Sequence, residues 1–473
     1  MFALRTPRRS MPEPDLECEV CVVGGGPSGA ILARRLAILG HDVCLVERAM
    51  SCAGRPGESL APGVVPMLDA AGVRDAFEEL GPLRMPAAVV RWATTEAERV
   101  AHPALLIERS RLDEALLATA ARAGVRVLRP VTAERPARRD SNNRWRVPLR
   151  ADGRTCELEA RFVCEATGRR GLFGGDAPRR SGARTLALTT YARGAKLTLP
   201  VVEALADGWL WAAPLPDGRA SVMVFVDEPH SLDARDRALR ARLAASPIAC
   251  GWTDLAPVVV RDATAHARDS VVARDALRIG EAAFTIDPLS AQGVQAAIST
   301  ALHAAIVVHT ILVASARTDA ALAFYSGRCD ESVARHAAWS KRLYAERAKS
   351  FNGTFWLRRT ATLVPAPIAP IALSAGSPVA RPAALTLARA ATVTAIPGII
   401  DDLVDLVPAL HHPALDRPIA YLGGTALALL LEDLAYADSP ARLIEKWSRR
   451  IPPARAHAIL DWLIARGVIE AAH

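Results

Sequence analysis

The residues best placed to do chemistry are Gly24-Gly25-Gly26-Pro27-Ser28-Gly29, which fit G-x-G-x-x-G at Gly24, Gly26 and Gly29. Glycine lets such a turn tighten and lets backbone N–H groups approach a pyrophosphate at a helix N-terminus. The pattern alone is weak, but its context is right. Glu17 to Gly26 reads as a strand entering the turn, Pro27 to Leu39 as a helix ended by Gly40, and His41 to Glu47 as a second strand. Glu47 ends that strand with a carboxylate placed for a ribose hydroxyl. Arg48 beside it suits solvent better. A nicotinamide or a flavin dinucleotide would both fit this β-α-β unit.

Two later segments carry further candidates. Glu108-Arg109-Ser110-Arg111-Leu112-Asp113 leads into a helix from Arg111 to Ala123. Ile279-Gly280-Glu281-Ala282-Ala283 continues to Asp287-Pro288-Leu289-Ser290-Ala291-Gln292-Gly293-Val294. There a strand, Val271 to Gly280, passes through a loop into a long helix, Gly293 to Ala314. A carboxylate after the strand can hold a polyol chain. The helix N-terminus aims backbone donors and a positive dipole at an electron-rich ring edge.

Further strands are expected at Val125 to Arg129, Arg144 to Pro148 and Cys156 to Glu165. Ala183 to Ala192, Gly208 to Ala213 and Arg219 to Val226 alternate like an antiparallel sheet. Residues 320 to 360 read as amphipathic helix. The last seventy or so residues read as helices Thr425 to Leu434, Pro440 to Trp447 and Pro453 to Ala465.

The chain of 473 residues can bury a large core, and its 51% hydrophobic content excludes a disordered or collagen-like chain. The net charge of +8 permits an acidic partner without demanding nucleic acid. Cys18 and Cys21 have CxxC spacing, but they lie in an apolar run with no second pair, so buried reduced thiols are expected and no metal site. Reduced thiols suit a cytoplasmic protein. Arg8-Arg9 is followed by acidic residues and prolines, so no export is expected. Two uncharged stretches could span a bilayer by length. Gln295 to Ala316 fits a buried core helix better, and Thr360 to Ala380 holds four prolines.

These segments resemble the group A flavoprotein monooxygenases. The Gly280 segment is similar to the family's second FAD motif, GDAA…P…GxG, with Glu281 in place of the usual Asp. The Glu108 segment is similar to R-x-x-[FL]-D, whose first arginine reaches the flavin or its pyrophosphate. That implies Arg109, with Asp113 bracing the helix. Arg55-Pro56-Gly57-Glu58-Ser59-Leu60 and Cys164-Glu165-Ala166-Thr167-Gly168-Arg169 resemble the subgroup of flavin-dependent halogenases and related hydroxylases. Trp209-Leu210-Trp211-Ala212-Ala213-Pro214 is similar to their WxWxIP, although packing on a sheet explains the tryptophans equally well. The resemblance spans roughly residues 17 to 360.

It implies non-covalent FAD held by Gly24, Gly26, Pro27, Ser28, Gly29, Glu47, Arg48, Arg55, Arg109, Glu281, Asp287, Gln292, Gly293 and Val294. NAD(P)H is implied as a transient co-substrate, since no second G-x-G-x-x-G is present. The implied fold is α/β: a Rossmann-like FAD-binding domain interleaved with an antiparallel substrate sheet, plus a small C-terminal helical, winged-helix-like module. The expected bounds are 15–75, 101–175 and 265–360 for the first, 76–100 and 176–264 for the second, 361–399 for a linker and 400–473 for the module. Halogenases also use a lysine that captures hypohalous acid. By similarity Met85 stands at that position, and Lys196, Lys341, Lys349 and Lys446 lie elsewhere.

Winged-helix modules bind DNA or accept a peptide strand. The last helix is poor in basic residues, which disfavours DNA. The combination is similar to the flavin monooxygenases that mature the cysteine tryptophylquinone of quinohaemoprotein amine dehydrogenase. That implies hydroxylation of a tryptophan in a small polypeptide, such as the dehydrogenase small subunit, with no nucleic acid and no membrane. A monomer is compatible with the sequence. A small-molecule hydroxylase or halogenase, a redox-sensing DNA binder and a flavin-dependent alkene reductase stay open.

Overall fold

The computed structural model describes residues 16–51, 58–92, 94, 96–138, 144–174, 177–227, 232–350, 353–360, 381–436 and 439–471. Its central sheet is built on the strand Leu16–Val23, in which Val20, Cys21 and Val22 are wholly buried. A parallel strand covered on both faces must be apolar on both sides, which explains the unbroken run. It lies between Arg154–Glu165 and Val43–Val46, and Ala276–Arg278 and Arg126–Leu128 extend the parallel order on either side. Trp145–Ala151 joins antiparallel to Arg154–Glu165.

The expected strand from Val271 to Gly280 is instead two short strands, Val272–Ala273 and Ala276–Arg278, folded back antiparallel. The cause is at the turn. The Asp275 carbonyl accepts from the Val163 N–H at 3.1 Å and from Trp145 Nε1 at 3.0 Å, which draws only the second half into the sheet.

A second, eight-stranded sheet runs in the order Val259–Asp262, Leu186–Ala192, Ala220–Val226, Gly208–Pro214, Val201–Leu205, Leu83–Arg91, Glu98–Ile107 and Glu58–Leu60. It is antiparallel except where Val201–Leu205 meets Leu83–Arg91. Its members Glu58–Leu60 and Glu98–Ile107 fall partly in stretches expected in the cofactor domain. The two faces differ. Leu188, Val201, Leu210, Val222 and Val224 pack on Leu239 and Leu243 of the helix Leu232–Ala244. Ala187, Trp209 and Phe225 instead face Trp92, Tyr344, Phe355 and Trp356.

Two long helices follow, Gly293–Val313 and Thr318–Ala348. The first is long and apolar enough to cross a membrane, and Ile298, Ala301, Ala304, Ala305, Val307 and Val308 are buried along it. The second apolar stretch lies outside the described residues. The thiols of Cys18, Cys21, Cys44 and Cys164 are buried and unbridged, and burial raises all four, Cys44 to about 11. None is poised as a thiolate at neutral pH.

The described chain divides into two compact units, one within Met1–His309 and Tyr325–Pro365, the other within Thr310–Phe324 and Ala366–His473. The second unit is less purely helical than expected. A long hairpin pairs Thr392–Ile400 with Leu403–His411, and Leu385–Leu387 pairs with Ile469–Ala471. Thr425–Ala426 is a strand, so the helix expected there starts at Leu427. Helices Pro440–Ser448 and Pro453–Ala465 lie where expected. Leu427, Leu430, Leu443, Ile459, Leu460 and Leu463 surround Trp447, whose Nε1 donates to the Leu430 carbonyl at 3.0 Å. Trp447→Ala removes this fully buried ring and should cost about 3–5 kcal/mol. Urea-dependent proteolysis should then cut the C-terminal unit at clearly lower denaturant than in the parent.

Candidate functional site

The glycine turn sits at the C-terminal edge of the central sheet, where ligands bind in open α/β folds. Its geometry admits only glycine. Gly24 has φ +112°, and a Cβ there would lie 2.3 Å from the Ala166 carbonyl oxygen. A Cβ on Gly29 would lie 1.9 Å from the Gly24 oxygen. Gly26 caps the helix Pro27–Ile38 with no side-chain capping bond, Pro27 stands at its start, and its first turn holds no acidic residue. An uncapped N-terminus without a competing carboxylate fits a pyrophosphate.

Glu47 is buried, and both its carboxylate oxygens accept backbone protons. Gly25 N–H donates at 2.6 Å and Ala49 N–H at 2.9 Å. It therefore braces the turn as well as presenting a carboxylate beside it. Arg48 is exposed. Arg109 opens the helix Arg109–Arg122, and its Nε donates at 2.8 Å to the fully buried Asp113. Arg55 lies outside the described residues.

The Gly280 segment packs directly on the first turn. Gly280 has φ +56°, and a Cβ there would meet Ser28 Oγ at 2.6 Å. Its N–H donates to Thr300 Oγ1 on the long helix at 3.1 Å. Glu281 follows in a short turn of 3-10 helix with its carboxylate half exposed, and Arg169 Nε lies 4.0 Å away. His266 is buried beside them, with Nδ1 3.1 Å from Thr285 Oγ1 and 3.4 Å from Arg169 Nη1, and Nε2 3.3 Å from the Glu281 carbonyl. Burial first, then the Arg169 charge, holds the imidazole below its ordinary pKa.

Asp287, expected to touch the cofactor, is also tied to the protein itself. Oδ1 accepts from the Leu289 N–H at 3.0 Å, and the Tyr344 hydroxyl donates to the same carboxylate at 3.0 Å. Burial raises this carboxyl against those hydrogen bonds. It thus caps and braces the loop ahead of Ala291, which takes a left-handed φ of +49°. Such a backbone is costly for a residue with a side chain and persists only when its surroundings hold it. Gln292 and Gly293 then open the helix Gly293–Val313, and Val294 is buried beneath. The first turn has no acidic residue, and a Cβ on Gly293 would meet nothing within 4 Å. That opening and the free helix end fit the electron-rich edge of a flavin ring.

Sequence reasoning missed the buried core of the site. Glu165 and Arg278 end neighbouring strands and pair at 3.1 Å with almost no exposure. Thr167 Oγ1 and the N–H groups of Leu172 and Phe173 also donate to Glu165. Arg278 donates to the carbonyls of Ser270 and Gly174, and Tyr325 donates to the Arg278 carbonyl at 2.7 Å. The signal was a charge at the end of each apolar strand. The aromatic cluster was half seen. Trp209 stacks on Phe225 at 3.8 Å, Trp92 meets Trp356 edge-on at 5.4 Å, and Trp211 packs on the same face. Packing therefore accounts for both motif tryptophans. Met85 sits partly buried on Leu83–Arg91, opposite Ala104.

Residues 17–225 match the FAD binding domain family. Among curated proteins, a tryptophan 2-halogenase of Chondromyces crocatus is 27% identical over 347 residues, which are 66% of this chain and 64% of that protein. The chain thus spans less than two thirds of that relative. Among solved structures, a peptidyl tryptophan dihydroxylase, QhpG, essential for tryptophylquinone cofactor biogenesis, matches at 25% identity with TM-score 0.75, covering 95% of this chain and 99% of its own. The flavin-dependent halogenase CmlS shares the fold at 18% identity and TM-score 0.76, covering 96% of each chain. Fold and glycine turn are those of an FAD-binding domain. The chain is similar to the halogenase-like FAD-dependent monooxygenases, and its residues 17–225 carry the match to the FAD binding domain family.

Two substitutions probe this site. Gly280→Ala forces a methyl against Ser28 at a strained φ, a cost of about 1–3 kcal/mol. Flavin affinity should fall about tenfold or more, read as loss of visible flavin absorbance on purification. Glu165→Gln leaves the Arg278 charge buried without its partner and should destabilise the fold by about 3–5 kcal/mol, measured by thermal denaturation.

Proposed function

We propose that this flavoenzyme uses NAD(P)H and dioxygen to hydroxylate a tryptophan held in a small polypeptide, a step in building a tryptophylquinone cofactor. Met85 carries the reading. The position where the resemblance places the halogenase lysine holds a thioether, which has no ammonium to capture hypohalous acid and is itself oxidisable. Similarity to the peptidyl tryptophan dihydroxylase along the length of both chains supports it.

Bound FAD, reduced by NAD(P)H, would supply the activated oxygen. The chain's own residues have other tasks. Gly24, Gly26, Pro27, Ser28 and Gly29 would cradle the pyrophosphate, with Glu47 on the ribose and Arg109 near the phosphates. Glu281 would accept from the ribityl chain. Gln292, Gly293 and Val294 would present the helix N-terminus to the ring edge that gains charge on reduction. The sheet face bearing Trp209, Phe225 and Trp211 would keep water from the reacting ring. A net charge of +8 would favour encounter with an acidic polypeptide. The C-terminal unit would dock that polypeptide. Unbridged thiols suit work in the cytoplasm.

A second reading, halogenation of an aromatic compound, is favoured by the similarity to the tryptophan 2-halogenase. One experiment separates the two. The holoenzyme is given NAD(P)H, a tryptophan-bearing polypeptide of the tryptophylquinone type and ¹⁸O₂, with and without chloride and bromide. Incorporation of labelled oxygen at tryptophan, independent of halide, is the expected result. A halide-dependent mass gain, or turnover with free aromatic compounds alone, would overturn the proposal in favour of the second reading.

A further inference from the structure

His266 touches both segments that border the proposed ribityl position. It stands on the strand His266–Ala267, between Arg179–Arg180 and Phe284–Thr285 in a three-stranded sheet. Arg169 can only donate, so Nδ1 facing it at 3.4 Å must accept. Thr285 Oγ1 lies 3.1 Å from Nδ1 and 3.4 Å from Nε2, and its hydroxyl is able to donate to the nearer nitrogen. The ring proton is thereby placed on Nε2, which donates to the Glu281 carbonyl at 3.3 Å. One neutral imidazole thus ties the Arg169 guanidinium to the Glu281 backbone.

Arg169 is held from other sides as well. Nη1 donates to the Thr264 carbonyl at 2.8 Å and lies 3.8 Å from Asp262. Its Nε faces Glu281 Oε2 at 4.0 Å, while that carboxylate keeps half of its surface open. The Glu281 oxygen also lies 3.8 Å from where a Gly168 Cβ would be, at ordinary van der Waals distance. The flexible extra methylene of Glu281 is therefore steered from both ends, by its carbonyl and by its carboxylate.

We infer that His266 is a positioning residue for the flavin, acting through Arg169 and Glu281 to aim the Glu281 carboxylate at a polyol hydroxyl of the cofactor. The inference rests on the reading that Glu281 contacts FAD. Glutamate and Arg169 form a matched pair here. Restoring the aspartate usual in the family shortens the side chain away from Arg169 and weakens FAD binding instead of improving it.

The test measures the FAD dissociation constant of apoprotein by quenching of flavin fluorescence, with circular dichroism to confirm folding. Glu281→Ala, His266→Ala, His266→Gln, Glu281→Asp and the double variant His266→Ala/Glu281→Ala are compared. His266→Ala should raise the constant about fivefold, and His266→Gln, which keeps a donor for the Glu281 carbonyl, should restore most of it. Glu281→Asp should also raise it. In the Glu281→Ala background, removing His266 should add nothing, because its only route to FAD is gone. No effect of Glu281→Ala would overturn the reading of Glu281 as a flavin contact. A normal constant in both Glu281→Asp and His266→Ala, or additive losses in the double variant, would overturn the role of His266 while leaving Glu281 in place. If His266→Ala does not fold, Arg169→Lys and His266→Gln against Glu281→Ala decide the same question.

Discussion

The site depends on one buried ion pair, Glu165 with Arg278. Taking two charges out of water is expensive, and their mutual attraction alone seldom repays it. Here the remaining hydrogen-bonding capacity is also met. Backbone N–H groups of Leu172 and Phe173 and the Thr167 hydroxyl reach Glu165, and carbonyls of Ser270 and Gly174 reach Arg278. The pair closes the ends of two adjacent parallel strands. It therefore fixes where two loops leave the sheet, one bearing Ala166 to Arg169 and the other Gly280 and Glu281. An apolar pair of equal volume could hold the strands together, but it would not orient those loops.

From that anchor the steric constraints follow in order. Ala166 sets the floor under Gly24, Gly24 sets the limit on Gly29, and Ser28 sets the limit on Gly280. Three segments far apart in sequence are thus packed closely, with backbone against the glycines at Gly24 and Gly29 and the Ser28 side chain against Gly280. The free donors of the helix at Pro27 and the helix at Gly293 end up on the same edge of the fold. A second chain of contacts runs the other way, from Asp287 to Tyr344 and on to Trp92 and Trp356. The loop that feeds the flavin end of the site is therefore tied to the aromatic face of the second sheet.

Much of this was legible. The glycine turn, its flanking strands and the long helix at Gly293 lie within a residue or two of their expected places, because local sterics and apolar periodicity specify them. The resemblance also led to the cofactor and to the group of enzymes. What escaped was set by distant partners or by exposure. The hydrogen bond from Tyr344 to Asp287 joins residues 57 apart, which no local pattern reveals. Glu165 and Arg278 are unremarkable as separate letters. The hairpin Thr392–Ile400 and Leu403–His411 is exposed along much of its first strand and holds Pro397 and Pro408, so neither alternation nor propensity marks it as β.

The departures from the family pattern bear on different parts of the chemistry. On the proposed reading, Glu281 for aspartate bears on how the cofactor is held, and Met85 for lysine on what can be transferred. Arg169 Nε lies 4.0 Å from the Glu281 carboxylate and His266 meets the Glu281 carbonyl, so the residue has a partner at each end. Met85 lies on a sheet strand with a register shift just after it, at Met85/Ala87, where Pro86 has no N–H to give the ladder. No rotation of the Met85 thioether creates an ammonium. On that reading, a thioether in place of the lysine limits the chemistry in a way that the change at Glu281 does not.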